Sequence, residues 1–122
     1  MEPLLIARLQ ALGRIALGAG LVLAPARLAA PWLAADAARA GTRVALAGLG
    51  ARDLAIGLGA AWALGGGENA RPWLLAGVIA DAADLAVTLA RREELPAFGV
   101  AAVGAIAAGS TALGLRLLSE LD

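Results

Sequence analysis

The chain has no cysteine, no histidine, no tyrosine and no lysine; all ten of its basic residues are arginine. Without cysteine there can be no disulfide, no thiolate nucleophile and no thiolate metal site. Without histidine the commonest metal ligand and the commonest general base are both missing. No metal site is expected, and no motif implies a cofactor. Aromatic residues make up 3% and the formal net charge is zero, so nothing resembles the basic footprint of a nucleic-acid binder. Any chemistry rests on carboxylates, guanidinium groups, hydroxyls or the backbone.

What is abundant is apolar surface. Hydrophobic residues form 61% of the 122 positions, charged residues 16%, and the mean hydropathy is +0.80. A soluble domain of this size needs roughly 25–35% of its surface charged. This chain cannot supply that, because several of its charges fall inside apolar runs. An integral membrane protein of one domain, residues 1–122, is the expected class.

Four apolar runs cover about 4–23, 44–64, 72–90 and 96–118. Each is near the ~20 residues that a spanning helix needs. Pro25 ends the first, Gly65-Gly66-Gly67 ends the second, Pro72 opens the third and Pro96 the fourth. The expected fold is all-α: a four-transmembrane-helix bundle of up-down topology with short connections. Leu17 to Ala26 loosely resembles a signal-peptide core with its cleavage site, but the apolar stretch is longer and Glu2 replaces a basic start. An uncleaved first span is the reading taken. The Ala-rich stretch 26–40 reads either as a short helix on the membrane surface or as a plain loop. Trp32, Trp62, Trp73 and Phe98 lie near run ends, where aromatic side chains anchor at the interface. The arginine excess in the first and third connections points those two connections to the cytoplasm and both termini outside. Glycines at helical spacing inside the runs suit close helix packing; no phosphate-loop or dinucleotide motif is present.

The interior charges are the informative ones. Arg14, Arg52, Asp53, Asp81 and Asp84 all lie inside the runs. Arg14 is ten residues after Leu4 and nine before Leu23; Asp53 and Asp81 are similarly central in their runs. All three therefore sit near mid-depth, and Asp84 is about 4.5 Å further along its helix. An ionisable side chain at that depth is costly unless paired or hydrated, and marks a functional-site candidate. Helical periodicity puts Gln10, Arg14 and Gly18 on one face, Gly50, Asp53 and Gly57 on another, and Gly77, Asp81, Asp84 and Thr88 on a third. Ser110 and Thr111 lie slightly beyond the centre of the fourth run. Residues 14–20 align without gaps on 53–59, a match that Ala and Gly abundance can also produce by chance; taken as real, it sets Arg14 against Asp53. Two arginines face three aspartates. The surplus negative charge calls for a proton, shared by the near neighbours Asp81 and Asp84, or for a cation or water.

Leu12-Gly13-Arg14 with Gly18, Gly50-Ala51-Arg52-Asp53 with Gly57, and Asp81-Ala-Ala-Asp84 resemble small bacterial four-span membrane proteins of the broad DoxX-like group. The resemblance implies a multi-pass protein of the bacterial cytoplasmic (inner) membrane. It carries over no activity and no catalytic residues. Such proteins are loosely linked to redox and quinone processes, which the lack of Cys and His makes doubtful for this chain.

Three functions fit the charges. In the first, Arg14, Arg52, Asp53, Asp81 and Asp84 bind a small lipophilic ligand, a proton or a cation, with transport then requiring a homodimer. In the second, Asp53, Asp81 and Asp84 with Arg52 are the catalytic candidates of a membrane enzyme, which would hydrate an epoxide or isomerise a lipophilic substrate by acid–base chemistry. In the third, the pairs are structural and the chain is an accessory subunit of a larger membrane complex.

Overall fold

The computed structural model describes residues 2–66 and 68–121. Its helices are α1 (Pro3–Leu23), α2 (Pro25–Leu33), α3 (Ala40–Gly66), α4 (Arg71–Ala90) and α5 (Ala97–Glu120). Short 3-10 turns occupy Ala34–Ala38 and Arg92–Glu94. The long helices α1, α3, α4 and α5 have 21, 27, 20 and 24 residues, and all are apolar enough to cross a membrane. At 1.5 Å per residue each reaches across a hydrocarbon core of about 30 Å. They form an all-α up-down bundle, a multi-pass membrane-spanning architecture.

Proline sets where helices begin. Pro3, Pro25 and Pro72 occupy first-turn positions, where the missing N–H would have had no helical partner. Pro96 is the N-cap of α5. α3 starts four residues before the apolar run does, with Ala40-Gly41-Thr42-Arg43 as its first turn. The same helix runs to Gly66, within the glycine run; Gly67 lies outside the described residues. Residues 26–40 cover most of α2, the turn after it and the first residue of α3. Ala34, with φ of 54°, turns the chain out of α2 at a conformation costing an alanine about 1–3 kcal/mol.

The bundle is built from two helix pairs, α1 with α3 and α4 with α5, with sparser contact between them. Glycine brings α1 and α3 together. A methyl group on Gly18 would stand 2.5 Å from the Leu54 backbone nitrogen and 2.6 Å from the Gly50 carbonyl oxygen. At Gly57 the nearest atoms belong to Ile15 and to the Ala11 carbonyl. The backbones are thus in contact, which is how membrane helices associate without a hydrophobic drive.

The two halves of the bundle along its axis differ in filling. Away from α2, the core is a packed cluster of Ala7, Leu74, Val78, Leu117 and Leu118. At the other end, α2 touches α1, α3 and α5. It packs through Ala29 and Trp32 against Leu21, Leu46 and Leu49. Gly99 of α5 lets the backbone at Pro31 and Trp32 approach closely. Trp62 and Phe98 remain exposed at the bundle surface, facing what would be lipid.

Candidate functional site

The five interior charges form one continuous network. Arg14 of α1 donates from Nη1 to Asp81 Oδ1 (3.0 Å) and from Nη2 to Asp81 Oδ2 (2.5 Å), a two-pronged bond across to α4. The same Nη1 donates to Asp53 Oδ1 of α3 at 3.2 Å. Arg52 repeats the pattern: Nη1 and Nη2 hold the two oxygens of Asp84 at 3.2 and 2.8 Å, and Nη2 also reaches Asp53 Oδ1 at 3.2 Å. Bidentate guanidinium–carboxylate bonds of this kind are among the strong polar contacts in proteins. Gly77 makes the geometry fit. Its missing side chain leaves room for the Arg14 guanidinium, whose Nη2 lies 3.1 Å from where a Cβ would be.

The sequence put Arg14, Asp53 and Asp81 near one depth, and the structure joins all five charges with one aspartate shared between two arginines. Asp81 and Asp84, three residues apart, pair with different arginines, Asp81 with Arg14 and Asp84 with Arg52. One face of α4 thus meets the arginine of α1 through Asp81 and that of α3 through Asp84. The third carboxylate, Asp53, is shared. Both of its arginine contacts land on Oδ1, and Oδ2 receives no hydrogen bond among the described residues. Asp53 is only 3% exposed, against 8% for Asp81. Arg52 is the outermost member, with its side chain 34% exposed.

Two further residues extend the network onto α5. Ser110 donates from Oγ to Asp81 Oδ2 at 2.6 Å. Gln10 donates from Nε2 to Ser110 Oγ at 3.1 Å and to the Ser110 carbonyl at 3.2 Å. Sequence reading placed Gln10 on the Arg14 face and Ser110 near mid-depth, yet it could not rank either among the common small polar residues of a membrane helix. The third hydrogen bond on Asp81 is worth about 1.5 kcal/mol or more, as expected for a bond to a charged group. Ser110→Ala should therefore lower the unfolding midpoint in detergent by several degrees, whereas Ser119→Ala, at the exposed end of α5, should leave it unchanged.

Above this polar floor, on the α2 side, is a cavity of about 530 Å³. Its polar surface comes from Gln10, Arg14, Asp53, Asp81, Asp84 and Ser110. The rest of its wall is apolar: Leu17 and Leu21 from α1, Leu28 and Trp32 from α2, Leu49 from α3, Val103 and Ile106 from α5. Leu17, Leu28 and Ile106 are also exposed, so the cavity opens sideways between α1, α2 and α5, toward lipid. Trp32, expected as an interfacial anchor, forms part of this wall. A second void, of about 10 Å³, lies behind Arg14 near Gly77 and Trp73 and is about the size of one water molecule. Among the described residues no group of three or more carboxylate, His or Cys side chains is arranged to hold a metal ion.

No family model, curated protein or solved structure matches the chain.

Proposed function

We propose that this protein binds a small lipid-soluble molecule in the cavity between α1, α2 and α5, with the Arg/Asp network as its polar floor. One observation carries the reading: Asp53 Oδ2, on an almost fully buried side chain, is left without a hydrogen-bond donor beside an open cavity. That oxygen is not sealed from solvent as the unpartnered Trp32 Nε1, Arg52 Nε and Thr88 Oγ1 are, so it keeps accessible surface that a ligand could meet. The volume and the mix of apolar wall and few polar groups match those of small-molecule sites. The architecture agrees with the resemblance to DoxX-like four-span proteins, and we propose kinship on that basis. Carrying a ligand across the membrane would call on a second copy or a larger complex, since four helices leave one chain little room for a path.

The test is thermal unfolding of the purified protein in lipid nanodiscs with decanol, decylamine or decanoate. At least one should raise the midpoint saturably, because a ligand of the folded state alone stabilises it by mass action. Val103→Trp, which fills the cavity, should remove that shift. Absence of a saturable shift with all three compounds would sink the reading. Turnover of an added lipophilic epoxide, lost in Asp53→Asn, would instead favour the enzyme that Arg14 bridging two carboxylates at one cavity also suits.

A further inference from the structure

We infer that the cavity takes an organic cation: a lipophilic amine whose ammonium group sits on Asp53 and whose apolar body lies along the cavity wall. This rests on the cavity being a ligand site, and it follows from which hydrogen-bonding groups there are already engaged. Ser110 gives its hydroxyl proton to Asp81, and Gln10 gives its amide to Ser110. Arg14 uses Nη1 on two carboxylates, while its Nη2 and Nε edge lies against Gly77, on the side of α4. The Trp32 indole N–H has no partner, but its nitrogen is buried with almost no accessible surface. What remains at the polar end is acceptors. Among the described residues Asp53 Oδ2 takes no bond, and neither does the Gln10 side-chain oxygen, which is fixed as the free end because Nε2 donates to a backbone carbonyl.

Charge points the same way. Arg14 and Arg52 balance two of Asp53, Asp81 and Asp84, so the floor holds one formal negative charge in a low-dielectric setting, where a cation is the stabilising partner. A bare metal ion is poorly served, because it would want six or more oxygens and the wall offers two free ones amid apolar side chains. An ammonium needs only a few acceptors, and its alkyl body gains from burial against Leu17, Leu21, Leu49 and Ile106. A fatty acid or phosphate ester would place its anion against a carboxylate and be rejected.

The experiment compares one tail with three head groups. Decylamine, decanol and decanoate are titrated into the full-length protein in nanodiscs, and binding is read as the saturable part absent from Val103→Trp. Decylamine should bind about tenfold or more tightly than decanol, the margin of one charge-assisted hydrogen bond, and decanoate should not compete. Asp53→Asn should bring decylamine down to the level of decanol while leaving decanol binding in place. If decanol or decanoate binds as well as decylamine, the amine assignment is overturned and the cavity remains a ligand site. If none of the three binds saturably, both readings fail. The wild-type ranking decides the matter even if Asp53→Asn does not fold.

Discussion

Arg14→Gln is expected to do more damage than any other single substitution in this chain. Arg14 is the sole arginine on Asp81 and one of two on Asp53, and all three side chains are about nine-tenths buried or more. Removing the guanidinium leaves a carboxylate at mid-membrane with only a serine hydroxyl for company. Breaking a buried pair from one side typically costs about 3–5 kcal/mol, a large share of the stability of a domain this size. The variant should be recovered in low yield, run as aggregate on size exclusion, and unfold far below the wild type. Arg14→Lys should restore only part of the loss, since an ammonium cannot span both oxygens of Asp81 and reach Asp53. Arg14→Gln combined with Asp81→Asn should be more stable than Arg14→Gln alone, and the double-mutant cycle measures that coupling. If Arg14→Gln is as stable as the wild type, the network does not hold the bundle together.

Gly18→Ala should be nearly as harmful, though it adds one methyl group and no charge. Its neighbours there are backbone atoms of Gly50 and Leu54, which cannot rotate away. α1 must therefore move off α3, and Arg14, one turn earlier, moves with it. Overpacking typically costs 1–3 kcal/mol, and loosening of the Arg14–Asp53 contact adds to that here. Gly48→Ala and Gly109→Ala form the controls, because nothing lies within 4 Å of a methyl group at either position. Each should be neutral or slightly stabilising, as alanine is the better helix former by roughly 0.5–1 kcal/mol. Thermal unfolding of the three variants side by side is the measurement; equal midpoints would show that backbone contact between α1 and α3 is unimportant.

Much of the architecture was legible because membrane helices obey simple constraints. Run length gave the four spans, and counting residues from run ends placed Arg14, Asp53 and Asp81 at one depth. The helical period put Gly50, Asp53 and Gly57 on one face, and all three are buried. The pairing was less legible, because arginine is long. Arg52 points about 100° from Asp53 on α3, yet its guanidinium curls back to Asp53 Oδ1 while holding Asp84. Which aspartate is shared between two arginines depends on how far those long side chains reach, and spacing alone does not resolve that. The cavity was not legible at all. Its wall includes Leu28 and Trp32 of α2, and an Ala-rich stretch with one tryptophan gives no sign of such a role.

The division into helix pairs has a consequence for how the molecule is made. The α1–α3 pair holds Arg14, Arg52 and Asp53, with one positive charge unmatched; the α4–α5 pair holds Asp81 and Asp84, with two negative charges unmatched. Either pair alone is too apolar for water and too charged for lipid. The amino-terminal pair is synthesised first and must wait, with Arg14 and Arg52 incompletely satisfied, until α4 arrives. Insertion of α4 is in turn easier beside those guanidinium groups than in bare hydrocarbon, where its two aspartates would each resist entry. The order of synthesis and the order of charge matching thus coincide, and a chain truncated before α4 carries its own mark of incompleteness into the bilayer.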